Sequence, residues 1–180
     1  MIKLTDLLKE NDATPHSYGC VMLYFNFPEI NKIHNVIRPD HVFNDETDPT
    51  FGLETEPHTT LLYGLHPEVT IDNVKDVLKN YDYSHCDIYN PSLFENEKYD
   101  VLKYDVNGKN LHETNKHLRE YPFTSDFPDY HPHLTVAYLK KGLGKKYAKI
   151  LENSKYKLKP THAVYLQYNG IKTKLPIVLI

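Results

Sequence analysis

One hundred and eighty residues, 40% of them hydrophobic, can bury a full core, as a single domain over residues 1–180 built from two lobes. The net charge of -3, with Arg38 and Arg119 the only arginines, provides no basic face for a duplex, so a long nucleic acid is not an expected partner. Cys20 and Cys86 make neither a disulfide framework nor a CxxC metal motif, and no apolar run approaches a membrane span, so a soluble cytoplasmic protein is expected.

In chain order, residues 1–12 carry Leu4, Leu7 and Leu8 at helical spacing and predict a short helix. The apolar, aromatic run Gly19–Phe27 predicts a central strand, and Ile30, Ile33, His34 and Ile37 predict a helix that stops before Pro39. Residues 44–57 are rich in acids, with Pro49, Pro57 and Gly52, and read as a long surface loop. A strand at Pro57–Tyr63 follows, then a helix over Ile71–Asn80 capped by Thr70, with Val74, Val77 and Leu78 inward. Cys86–Tyr89 is a strand, and the alternation through Phe94–Val106 predicts a half-buried strand ending at an Asn107-Gly108 turn. Leu111–Glu120 is helical, residues 121–131 form a loop, and Pro132–Tyr138 is a strand. A helix near Lys145–Asn153, a strand over His162–Tyr168, a turn at Asn169-Gly170 and a last strand to Ile180 complete the chain.

Two of these strands say the same thing. Pro57-His58-Thr59-Thr60-Leu61-Leu62-Tyr63 returns as Pro132-His133-Leu134-Thr135-Val136-Ala137-Tyr138, 75 residues later. That period is too long and too few for a solenoid, so an internal pseudo-twofold is expected, with an α+β fold of two antiparallel sheets around a cleft and helices outside. Residues two apart on a strand share a face, which pairs His58 with Thr60 and His133 with Thr135. Two such strands face to face supply an acid, a base and two hydroxyl donors around one phosphodiester. One imidazole takes a proton from an attacking 2′-hydroxyl, the other protonates the departing oxygen, and the threonines stabilise the phosphoryl charge.

A single histidine on a strand is more often a hydrogen-bonded core residue than a catalyst. A seven-residue phrase that repeats itself outweighs that reading. Other histidine groupings fail on spacing. His131 and His133 flank Pro132 without a third ligand in reach, and His112 and His117 are one residue too far apart for a zinc helix. His66 reads as a turn residue, Gly142-Leu143-Gly144-Lys145-Lys146 lacks the phosphate-loop spacing, and the acidic stretch 44–56 fits no calcium loop. No metal and no cofactor is expected.

The doubled Pro-His-x-Thr phrase resembles the 2H phosphoesterase superfamily. Gly19–Leu23, Glu56–His66, Phe94–Lys103 and Pro132–Lys140 are similar to the phage anti-CBASS phosphodiesterases within it. That resemblance implies metal-free cleavage of cyclic di- and trinucleotide immune signals such as 3′,3′-cyclic GMP-AMP, in the cytoplasm of an infected bacterium. It carries the catalytic roles to His58, Thr60, His133 and Thr135, and base contacts to Tyr24 and Phe94. Where the family uses a late glutamate to touch a base, no acid follows Glu152, and Gln167 is the nearest polar residue. Two other functions compete: a 2′,3′-cyclic phosphodiesterase acting on RNA ends, and a sponge that binds cyclic nucleotides without cleaving them. Loss of a catalytic histidine would mark the sponge, and both histidines are present.

Overall fold

The computed structural model describes residues 18–180; the helix expected over residues 1–12 lies outside the described residues. Strand β1, Gly19–Phe25, is apolar on both sides and buried along its whole length, because it runs through the middle of a sheet between β2 (His58–Leu65) and β8 (Pro160–Leu166). Helix α1, Ile30–Val36, buries Ile30 and Ile33 and gives way to extended backbone at Ile37, two residues ahead of Pro39.

The acid-rich segment that follows is more than a surface loop. Its acidic tip is solvent-facing, where the Asp45 and Asp48 carboxylates accept from Thr47 and Thr50. Its two ends are sewn to strand β6, His133–Lys140. Phe43 N–H donates to the Tyr138 carbonyl, Tyr138 N–H to that of Gly52, and Glu54 N–H to that of Val136. The aromatic residues cause this, since Phe43 and Phe51 pack on Tyr99 and Tyr138 and carry the backbone down with them.

Strand β2 leads through Gly64 to helix α2, Ile71–Leu78. The expected Thr70 cap is present as a reciprocal pair with Asn73, and Val74, Val77 and Leu78 are buried. Gly64 has φ +108°, and a Cβ there would lie 1.9 Å from the Thr124 carbonyl oxygen, so only glycine permits segment 121–131 to cross β2. Strand β3 (Asp82–Tyr83) precedes β4, Cys86–Glu95, which is longer than expected and forms a hairpin with β5, Tyr99–Asn107. Strand β5 departs from its half-buried pattern: Tyr99 to Tyr104 are all buried. Leu102 and Tyr104 face the main core, while Tyr99 and Val101 face a second aromatic cluster with Phe43, Phe51 and Phe94. Both faces of β5 are thus covered. Asn107-Gly108 makes no hairpin; the chain passes Asn110, at φ +63°, into helix α3, Leu111–Leu118.

After β6 come helix α4 (Gly144–Ile150), the unforeseen β7 (Tyr156–Leu158), β8 and β9 (Lys172–Leu175). Pro176 splits the expected last strand, and the remainder, β10 (Val178–Leu179), pairs in parallel with β3. The main sheets are antiparallel, with strand orders β2-β1-β8-β9 and β6-β5-β4-β7. Each His-Thr strand is therefore the edge of its own sheet, and the two edges, β2 and β6, pack against each other. Helix α3 lies on β2, α1 on β6 and α4 on β4 and β5. Among the described residues, no helix is long and apolar enough to cross a membrane.

Candidate active site

On a regular strand His58 and Tyr63, five apart, would point to opposite faces. They share one, because β2 bulges at Leu61: Thr60 pairs with Met22 and Leu62 with Val21, with no partner between them. Strand β6 bulges at the same place in its phrase, with Thr135 opposite Lys103, Ala137 opposite Leu102, and Val136 skipped. The repeat is thus a repeat of backbone shape: histidine, threonine, bulge, tyrosine.

A bulge frees a backbone carbonyl, and a helix side chain meets it each time. Asn115 of α3 donates from Nδ2 to the Leu61 carbonyl at 2.6 Å, and Arg119 Nε donates in turn to Asn115 Oδ1. His34 of α1 donates from Nε2 to the Val136 carbonyl at 3.0 Å. These ties are crossed. Helix α3 follows β5, yet holds β2; helix α1 follows β1, yet holds β6.

The two histidines are anchored alike. His58 Nδ1 donates to the Glu56 carbonyl at 2.8 Å, and His133 Nδ1 donates to the His131 carbonyl at 3.0 Å. A carbonyl only accepts, so both Nδ1 atoms carry the hydrogen and Nε2 becomes the nitrogen that gains or loses a proton. The rings are close enough to interact. Desolvation is the largest cause that holds His133 below the usual imidazole range, and the Lys103 and His58 charges push it the same way. His58 and Thr135 are buried, and Thr60 and His133 keep partial exposure.

Tyr24 lies directly across from His58 on β1 and is sandwiched in a row of three rings. Its centroid is 5.3 Å from His58 and 5.1 Å from His162, with interplanar angles of 26° and 21°. With both ring faces flanked, Tyr24 offers its rim to the pocket it lines together with His58, Phe51, Glu54 and Tyr138. Phe94 meets His133 edge-on at 4.9 Å. Gln167 does not join this group. It sits in the turn beyond Leu166, roughly 16 Å along the strand from His162 at about 3.3 Å per residue. The position in the row is held by His162, whose imidazole is lowered by burial first and by Lys174 next.

Sequence reasoning missed Lys103 and Asp105. They stand opposite Thr135 and His133, with Lys103 only 8% exposed, its ammonium paired to Asp105 Oδ1 and lying 4.9 Å from the Phe94 centroid. Burial pushes the Asp105 carboxyl up, but Lys103 and Asn90 outweigh it and hold the group below its ordinary value. The period-two pattern of β5 carried the signal, since it sets Lys103 and Asp105 on one face. Among the described residues, no group of three His, Cys, Asp or Glu side chains is arranged to hold a metal ion.

The histidine pair, both bulges and the Asn115 tie fall within residues 52–162, and that span matches the family model described as anti-CBASS protein Acb1. The chain belongs to the Acb1 family of anti-CBASS proteins. Both His-x-Thr strands lie inside the matched residues of this Acb1-family chain, as do Phe94, Lys103, Asp105 and His162, while Tyr24 and His34 precede them. A search of curated proteins finds no match to the chain.

Proposed function

We propose that this chain is a metal-independent phosphodiesterase that cleaves cyclic di- and trinucleotide immune signals, of the 3′,3′-cyclic GMP-AMP type, and so blunts CBASS defence in the cytoplasm of an infected bacterium. The observation that carries this reading is the matched anchoring of His58 and His133, which presents two Nε2 atoms from abutting edge strands. An acid and a base of near-neutral pKa are what 2′-hydroxyl attack on a phosphodiester requires. The hydroxyls of Thr60 and Thr135 share the histidines' faces and serve as donors to the phosphoryl oxygens. Tyr24 and Phe94 border the pair and serve as base contacts. The recurring series β1-α1-β2-α2 and β5-α3-β6-α4 supports a single 2H phosphoesterase-like domain whose two lobes are related by a pseudo-twofold.

The test incubates purified protein with 3′,3′-cyclic GMP-AMP and excess chelator and identifies products by mass. A linear dinucleotide ending in a 2′,3′-cyclic phosphate or its hydrolysis product is expected. Tight binding with intact substrate would make the protein a sponge. Cleavage confined to 2′,3′-cyclic RNA ends would make it an RNA-end enzyme.

A further inference from the structure

We propose that Lys103 is a further site residue, an ammonium held by Asp105 beside Thr135 that engages the phosphodiester oxygens, and that its presence on one strand only makes His133 the general base and His58 the general acid. This rests on the phosphodiesterase reading above.

Place comes first. Lys103 is the direct cross-strand neighbour of Thr135, and Asp105 that of His133, so both point to the face that bears the second His-x-Thr phrase. At the equivalent positions opposite His58 and Thr60, strand β1 supplies Tyr24 and Met22, which carry no charge. The two phrases are alike, but their neighbours are not.

Burial comes second. The Lys103 side chain is 11% exposed and that of Asp105 is 29% exposed. A buried ion pair is weak evidence for stability, because apolar residues of similar volume often do as well or better. Here the surroundings are apolar, with Phe94 under the ammonium and Tyr99 and Val101 further along the same strand face. A cation kept in such a place, next to a threonine donor, is suited to meet an anion. The phosphodiester is that anion. Asp105 is fully engaged, Oδ1 by Lys103 and Oδ2 by Asn90, so it holds the lysine and does not itself take a proton from the substrate.

Charge comes third. The groups facing His133 are Lys103 and Asp105 from β5, His58 from β2 and the uncharged Phe94 from β4. Desolvation, Lys103 and His58 favour the neutral ring, while the bond to the His131 carbonyl and Asp105 oppose them without reversing the direction. A neutral imidazole is a base. It takes the 2′-hydroxyl proton on Nε2 while the 2′-oxygen bonds to phosphorus and the P–O5′ bond breaks. The departing 5′-oxygen takes a proton from His58 Nε2, leaving a 2′,3′-cyclic phosphate and a 5′-hydroxyl. Lys103 offsets charge on the non-bridging oxygens as the ring beside it becomes cationic. Water attacking the cyclic phosphate with the roles reversed would restore both histidines.

The experiment compares a cyclic dinucleotide with its analogue carrying sulphur at the 5′-bridging position, whose thiolate leaves without a proton. Wild type is expected to cleave both. His58→Ala should be crippled on the oxygen substrate and regain most of the lost rate on the sulphur one, while His133→Ala stays slow on both. Recovery by His133→Ala in place of His58→Ala overturns the assignment. Lys103→Met should slow both substrates by about 10²-fold and move the acidic limb of the kcat/KM profile to higher pH, with partial rescue by Lys103→Arg. Wild-type rates and an unmoved limb in Lys103→Met remove Lys103 from the site. If wild type cleaves neither substrate, the phosphodiesterase reading itself fails, an outcome distinct from the wrong rescue pattern in an active enzyme.

Discussion

Strands β2 and β6 share almost everything that sets geometry and little of what sets charge. Each is the edge of a four-stranded sheet, bulges one residue after its threonine, ties its histidine Nδ1 to a carbonyl two residues back, and has its bulge carbonyl met by a helix side chain. The next strand inward is where they part. Behind His58 stands Tyr24 with His162 beyond it; behind His133 stand Asp105 and Lys103. On the proposed reading, the duplicated phrase sets where two protons are handled, and the unduplicated neighbours set which way they move.

The harshest way to break the comparison is to remove each histidine. His58→Ala and His133→Ala should each lower turnover of a cyclic dinucleotide by about 10²–10⁴-fold, with thermal melting little changed, since both rings sit on sheet-edge strands. A near-wild-type rate in either variant takes that residue out of the mechanism. Thr60→Val and Thr135→Val come next, at up to about 10²-fold each if the hydroxyl is a phosphoryl donor. The loss should be smaller at Thr135, where Lys103 stands opposite the threonine on the neighbouring strand. Equal losses in steady-state kcat would argue that Lys103 does not share the load.

The sequence made the histidine-threonine pairs visible because a strand's period of two is a strong local rule and the phrase occurs twice. It made the helices visible through apolar spacing and through Thr70. It hid what depends on partners far away in the chain. The bulges at Leu61 and Val136 are set by pairing with β1 and β5, so a plain alternating strand was the natural expectation. The 44–57 segment looked solvated because acids dominate it, yet Phe51 and the neighbouring Phe43 decide where it lies. Strand β5 looked half-buried because Lys103 and Asp105 break its apolar run, although their charges are satisfied within the fold. Gln167 is the nearest polar residue in sequence, and it lies just past the end of β8, five residues beyond His162, where Gly170 N–H closes a turn onto its carbonyl.

The crossed ties offer a milder test of how alike the strands are. Asn115 is 4% exposed, and removing its amide leaves the buried Leu61 carbonyl without that bond, at a cost of about 1–3 kcal/mol. The Val136 carbonyl also accepts from Glu54 N–H at 3.0 Å, so loss of His34 leaves it one donor. Urea denaturation should therefore place Asn115→Ala well below His34→Ala in stability. The reverse order would mean that the β6 bulge, not the β2 bulge, depends on its helix.

The smallest effect separates the ties by pH, because Asn115 does not titrate and His34 does. Burial lowers His34 from its ordinary 6.5, and the bond to Val136 only partly offsets this. His133 and His162 move in the same direction, with desolvation the first cause in each. A folded-state pKa below the unfolded value means that, as pH falls through about 6.5, the unfolded chain takes up protons that the folded chain refuses. Stability should then decline from neutral pH downward and level off once the folded histidines protonate too. His34→Gln should flatten part of that slope while Asn115→Ala leaves it intact, as read from urea midpoints between neutral pH and about pH 5. A slope unchanged by His34→Gln would place the proton uptake at the other histidines lowered by burial, His41, His133 and His162, and would leave the helix tie to β6 as insensitive to acid as the amide that holds β2.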